Sequence, residues 1–512
     1  MDDRLCRSIG LILLGFVLLA YFILIMKNGN NIIDSDDASE LMLSRLLASE
    51  HAPITRNWLY SYELRVLNIQ LVFTPLFWIF HSWKLVRAVG GVILLLIYTG
   101  LYYLVYRAWH LDLKWFYLTA FSLVMPYASP LYYFNLKMFY IPHIAITFAA
   151  LALFGKIVHS EGRLCRIGIL LLFVLAFFAG LGGTRSVLLT FAPLFLAGFV
   201  LFLEDPSKLK EWLISTAALF FSGAGFIIND RILSRLFQYR SYSNLSFIKF
   251  NFQRLEDILN SILNSYGYSV GEYFISLKGI LDACAIMLAV LMFTALFLVL
   301  IRRRELEQPA RFVYYFIALT FLLNTFVVLF GQLVNDEYSD RYITIGLVPL
   351  ILLPCMAYPL SRIPSRIKKP LLLICLSSVF LMGLLQYRQL FTYAGNAPRQ
   401  GYLRFLEEEG LDYGYASFWN ANVTTELTDG KVQMTSLVSA GDHFEITYHL
   451  VSTKLLEEHH DRCFLLLTSH EAGVFMLGDE KLNEHYEPVY QDETYSIYEF
   501  DYDLDEVYSK SE

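Results

Sequence analysis

Seven residues of this chain, Asp34-Ser35-Asp36-Asp37-Ala38-Ser39-Glu40, put four carboxyl groups within two turns of a predicted short amphipathic helix. Ser35 or Asp36 is expected to cap that helix, because a short side-chain oxygen accepts the free N–H groups of a first turn. The other acids favour the positive end of the helix dipole. Capping uses one or two acids, and four beside an apolar run leave carboxylates for chemistry. Cations recur at matching positions: Lys137, Arg185 and Arg341, with Glu63 and Arg65 close behind the acidic stretch. A carboxylate can take the proton of an acceptor hydroxyl. Cations can hold a phosphate as charge builds on a leaving group. Together they suit transfer from a phosphate-linked lipid. Phosphate-binding glycine loops, dinucleotide fingerprints and zinc-protease motifs do not occur, so soluble nucleotide chemistry has no support.

The elements that must position these groups are membrane helices. Of 512 residues, 56% are hydrophobic and only 17% charged, the composition of a polytopic membrane protein. Apolar runs near the ~20 residues of a crossing helix predict about eleven spans. They fall at 8–26, 84–106, 115–133, 139–155, 167–181, 186–203, 211–229, 279–301, 312–332, 342–359 and 370–387. The first reads as a retained signal anchor, too long for a cleaved signal peptide and without a small-residue cleavage site. With the N-terminus in the cytoplasm, every short inside loop is basic, including Arg302-Arg303-Arg304 and Lys368-Lys369. That parity places loop 27–83, loop 230–278 and the tail outside. The segment 63–80 is apolar, but its polar start and Pro75 favour a helix lying in the interface. The run Gly180-Leu181-Gly182-Gly183-Thr184-Arg185 reads as a tight outer turn or a broken helix.

From Arg388 onward 8 Lys and Arg face 24 Asp and Glu, a balance of −16 that leaves +9 for the rest. The split predicts a membrane domain, 1–387, and an acidic extracytoplasmic domain, 388–512. It argues against nucleic acid as a partner of the tail. The tail alternates helix and strand: helix 401–409 ended by Gly410, strands 413–419, 431–438 and 462–468, and a hairpin over 487–500 turning near Gln491-Asp492. Asn422-Val423-Thr424 matches a glycosylation sequon, a weak three-residue signal. The six cysteines follow no disulfide or zinc spacing. Loop 230–278 alternates Arg and Lys with Phe and Tyr, which suits an anionic lipid head group or plain interfacial anchoring.

This arrangement resembles the GT-C superfamily of membrane glycosyltransferases, which includes protein O-mannosyltransferases and the aminoarabinose transferases. The resemblance rests on Asp34-Ser35-Asp36-Asp37 after one span, on the interfacial segments 38–49 and 63–80, and on the outer tail. Tyr338-Ser339-Asp340-Arg341-Tyr342 resembles the Arg-Tyr position near the donor phosphate in that superfamily. The resemblance implies inverting transfer of a sugar from a polyprenyl-phosphate donor to a glycan, lipid or protein acceptor. It implies an Asp base in the first outer loop: Asp36 first, with Asp34 and Asp37 as rivals. Arg341 is the leading phosphate contact, then Lys137 and Arg185; Glu63, Arg65 and Tyr342 would line the substrate site. Arg341 could instead pair with Asp340 or Asp336. Some members bind a divalent metal, which leaves a metal here open. His143 is expected to be a hydrogen-bonded structural residue. A bacterial plasma membrane is the expected venue. Competing readings are a lipid-linked sugar flippase, a polysaccharide polymerase or ligase, and a sensor.

Overall fold

The computed structural model describes residues 3–61, 64, 66–237, 239, 252–269, 275–331, 339–439, 444–447, 449–475 and 487–506. Among them are ten helices long and apolar enough to cross a membrane, as an integral membrane protein requires. The expected span at 115–133 is shorter than predicted. Helix Leu113–Val124 has 12 residues, and a separate helix, Ser129–Asn135, follows an extended link. Pro126 is the cause: a proline bars the preceding residue from helical geometry, and Met125 is extended at φ −86° and ψ 127°. The late span, Arg341–Leu360, carries Pro349, Pro354 and Pro359 and narrows to a 3-10 helix over Val348–Leu352.

Gly180 to Arg185 form a tight turn, with Gly183 at φ 93°, between the helix Gly162–Gly180 and the span Thr184–Glu204. That span is wound as a π-helix over Val187–Phe191. Pro193 has no N–H to offer the carbonyl of Leu189, and the ladder slips by one residue. Helix Gly162–Gly180 packs against Leu209–Arg231 with the backbones almost touching. A Cβ on Gly180 would sit 2.0 Å from the Ser222 carbonyl oxygen, and one on Gly225 2.1 Å from that of Phe177. Only glycine permits this approach.

The first span, Asp3–Ile32, runs almost directly into the acidic helix, Ser35–Glu50. The expected second interfacial helix at 63–80 shrinks to Gln70–Phe77. Glu63 and Arg65 lie outside the described residues, as does the part of the basic and aromatic loop 230–278 from 240 to 251.

Among the described residues, the strands of the tail sheet are β2 (Tyr413–Ser417), β3 (Gln433–Ser439), β4 (Phe444–Ile446), β6 (Cys463–Thr468), β7 (Tyr490–Gln491) and β8 (Tyr495–Phe500). They lie in the order β4-β3-β2-β6-β8-β7. The β3, β2 and β6 strands are parallel, with antiparallel edges. The hairpin turns where predicted, after Gln491. The strand expected to reach Trp419 stops at Ser417, and helix Phe418–Leu427 begins there. A separate two-stranded ribbon joins the halves: β1 (Trp58–Leu59) of the first loop pairs antiparallel with β5 (Val451–Ser452) of the tail. Asn422 of the sequon is buried, and its Nδ2 donates to the Leu450 carbonyl at 3.2 Å.

Candidate active site

The cap of the acidic helix is Asp34, not Ser35 or Asp36 as expected. Its backbone is extended at φ −127° and ψ −175°, and its side chain accepts from the Asp37 N–H at 3.1 Å. Asp37 returns the bond through Oδ2 to the Asp34 N–H at 3.2 Å. This reciprocal capping box needs an acceptor at the cap and another three residues on, which Asp34 and Asp37 supply; a cap at Ser35 would put Ala38 at the second position. Ser35 is buried and turned toward the tail.

Lys137 sits across that cap. Its Nζ pairs with Asp34, and with Asp37 Oδ2 at 3.2 Å. Both Lys137 and Asp37 are buried. Burial works against ionisation of Asp34, but Lys137 and the helix N–H groups outweigh it and lower its pKa. Burial would deprotonate Lys137, but the carboxylates of Asp37 and Asp34 hold it charged, with its pKa raised. Asp37, wholly enclosed, is pushed above the ordinary carboxylate range by burial, against the pull of Lys137.

Asp36 faces another way. It lines a cavity of about 300 Å³ with Glu40, Gln70, Arg185, Arg341, Tyr342 and His449. Burial first, then the nearby Asp34 charge, push its pKa up to about 6; Lys137 and Arg341 pull the other way. Glu40 is joined to Gln70. Arg185 lies over the Tyr140 and Tyr342 rings, 5.6 and 5.7 Å from their centroids, with Nη1 2.9 Å from His143 Nε2. His143 is thus a hydrogen-bonded neighbour of the cavity arginine. Asn324, buried in its span, donates to the carbonyls of Tyr342 (3.0 Å) and Ile343 (3.1 Å) and so pins the start of the span that presents Arg341. A second cavity of about 480 Å³ lies behind the cap, lined by Asp34, Lys137, Asn396, Arg399 and Trp419. Neither Asp34 nor Lys137 lines the Asp36 cavity.

The structure therefore brings together Asp36, Arg185, Arg341 and Tyr342 in one cavity, and places Asp34 and Lys137 on the other. Glu63 and Arg65 are outside the described residues, as are Asp336, Glu337 and the side chain of Asp340. Sequence reasoning did not pick out Gln70 as a contact of the acidic helix, nor Asn324, His449, Arg87 or Glu426. A buried amide or arginine inside a span is a recognisable signal, because such a group is costly unless it has a partner. Nothing local marks His449 or Glu426.

No family model matches the chain, and no curated protein matches it in sequence. Solved structures do. ArnT from Cupriavidus metallidurans in the apo state superposes with a TM-score of 0.61 at 10% identity, covering 96% of this chain and 97% of ArnT. The same protein bound to undecaprenyl phosphate gives 0.57 at 12% identity with the same coverage. The chain has the fold of ArnT. The acidic helix, the short helix Gln70–Phe77 and the mixed sheet of the tail belong to one architecture that runs nearly the full chain. At this identity the likeness speaks for the fold, and the chemistry rests on the cavity.

A divalent ion would need several hard oxygen ligands at one point. Asp34 and Asp37 are paired with Lys137 instead. Among the described residues, the one group of three His, Cys, Asp or Glu ligands that converges is His459, Asp503 and Asp505 in the tail, not at this cavity. The described cavity residues do not form a divalent-metal site, and no step runs through one.

Proposed function

We propose that this chain is a GT-C glycosyltransferase that moves a sugar from a polyprenyl-phosphate donor to an envelope acceptor. Asp36 is the general base. The observation that carries this reading is the cavity itself: a carboxylate with a proton affinity near neutral lies across from Arg341, while its two acidic neighbours are committed to the cap and Lys137. Asp36 takes the proton of an acceptor hydroxyl. The hydroxyl oxygen forms a bond to the anomeric carbon from the face opposite the phosphate. The bond from that carbon to the phosphate oxygen breaks, and the polyprenyl phosphate leaves with the electron pair, giving inversion. Arg341 meets the negative charge on the leaving phosphate with a planar fork. Arg185, held over the Tyr140 and Tyr342 rings, adds a second cation on the same wall. Lys137 is better read as the counter-ion of the cap than as a phosphate contact. The ArnT structure bound to undecaprenyl phosphate supports a polyprenyl-phosphate lipid as the donor carrier.

We further read residues 1–387 as the catalytic membrane domain and 388–512 as extracytoplasmic, with the N-terminus in the cytoplasm of a bacterial cell. The last membrane helix continues to Thr392, so the structural junction lies slightly later than the change in charge. The test is transfer of labelled sugar from a panel of polyprenyl-phosphate donors to envelope material, in membranes holding equal amounts of wild type or Asp36→Asn. Transfer by the wild type that the variant loses supports the reading. Transfer that survives Asp36→Asn removes Asp36 as the base.

A further inference from the structure

The contacts that hold the acidic motif come in large part from the tail. Asn396 donates from Nδ2 to the carbonyls of Asn30 (2.6 Å) and Ile33 (2.9 Å), directly before Asp34. The Val423 N–H donates to Ser35 Oγ at 3.3 Å. Arg87, in the span Trp83–Ala108, forks onto Glu426 of the tail, Nε to Oε1 at 2.8 Å and Nη2 to Oε2 at 2.7 Å. The same Nη2 donates to the Asp37 carbonyl at 3.0 Å. Four residues earlier in that span, the Trp83 N–H donates to Asp429 Oδ1 at 2.8 Å. Arg87 and Glu426 are both 6% exposed.

These bonds cluster on one turn. A buried ion pair adds little net stability over apolar packing of the same shape, because both charges lose their water. What a fork adds is geometry: N–H directions fixed in one plane. Here two bonds go to Glu426 and the third sets the Asp37 carbonyl, one residue from Asp36. The ribbon of β1 and β5 works on the other side of the cavity. The Leu450 N–H donates to the Leu59 carbonyl at 2.9 Å, and Leu450 is held in the left-handed region at φ 52°. That conformation is unfavourable for leucine and persists where the surroundings over-determine it. It delivers His449 and Leu450 to the wall of the Asp36 cavity.

We infer that the C-terminal domain is a working part of the active site. Glu426, acting through Arg87, is a positioning residue for the first turn of the acidic helix, and His449 and Leu450 close the cavity that Asp36 lines. The inference rests on the transferase reading for its kinetic arm only.

The experiment compares full-length wild type with Glu426→Gln, which keeps the shape and removes the charge. The expected result is a kcat about a hundredfold lower, as for a misplaced catalytic group, with donor KM within about threefold. A second readout needs no activity. Ser39 is buried on the cavity wall with its Oγ on the Asp36 carbonyl. Ser39→Cys is expected to react with a membrane-impermeant maleimide about tenfold faster when Glu426 is Gln, because the turn opens more often. Protein without the added cysteine sets the background. A wild-type kcat in Glu426→Gln, or a fall in kcat with unchanged labelling, overturns the inference. If the wild type transfers no sugar from any donor, the transferase reading fails while labelling alone decides the positioning role. Should Glu426→Gln not accumulate, Arg87→Lys keeps the charge pair and drops the bond to Asp37. A lower kcat with faster labelling in that variant then supports the inference, and an unchanged kcat or unchanged labelling overturns it.

Discussion

Asp34, Asp36 and Asp37 are chemically alike, and their neighbours make them different. Asp34 is ionised by its cap and by Lys137, Asp37 is enclosed, and Asp36 meets the cavity. Asp36 is ionised only as pH rises through about 6, so the transfer rate should rise along a limb centred there. A pH–rate profile checks this, and a limb at the ordinary value near 4 would remove the buried-base reading. Asp36→Asn should cut the rate by about 10³-fold. The same substitution should raise the thermal midpoint at pH 7.5. A carboxyl whose folded pKa is raised binds its proton more tightly in the folded state. Its contribution to stability is therefore largest at low pH and declines between about 4 and about 6 as pH rises. An amide avoids that loss. At the cap, Lys137→Met leaves two carboxylates facing each other and should cost about 3–5 kcal/mol of stability. Adding Asp34→Asn should recover part of it, read from thermal midpoints of the single and double variants.

At the scale of elements, the site depends on how three helices begin. The acidic helix starts on a capping box, the late span starts at Arg341 with its carbonyls held by Asn324, and the span Thr184–Glu204 starts just after a glycine turn. Arg341→Lys should raise donor KM about tenfold with a smaller change in kcat, since an ammonium loses the paired contact with phosphate. Steady-state kinetics with a defined donor would show it. The Gly180–Gly225 crossing supports the turn that carries Arg185. Gly180→Val should destabilise it by about 1–3 kcal/mol or more, because the added carbons meet backbone that cannot move aside. Thermal aggregation of the detergent-solubilised variant would report it, and an unchanged midpoint would refute the close contact.

For the whole molecule, the tail and the membrane half are joined by ion pairs, a strand pair and several hydrogen bonds. They should unfold together. Cys463 in the tail and Cys6 in the first span are both fully buried. On heating, their thiols should become reactive in one step at one temperature, followed by mass spectrometry of the labelled peptides. Release of Cys463 well below Cys6 would show an independent tail.

Hydrophobic length and charge bias are local properties of the chain. The membrane class, most spans, the acidic motif and the strands of the tail could be read from them. One local slip, the shortened span at 115–133, came from a proline, Pro126. The roles of the three aspartates could not be read, because each depends on what stands opposite in space. Lys137 reaches Asp34 across 103 residues of chain, and Glu426 reaches Arg87 across 339. Nor does a two-residue strand such as Trp58–Leu59 carry a periodicity, and its partner lies in the tail. A charge declares its type in sequence, but its partner and its proton affinity are set by burial and distance, which only the folded chain supplies.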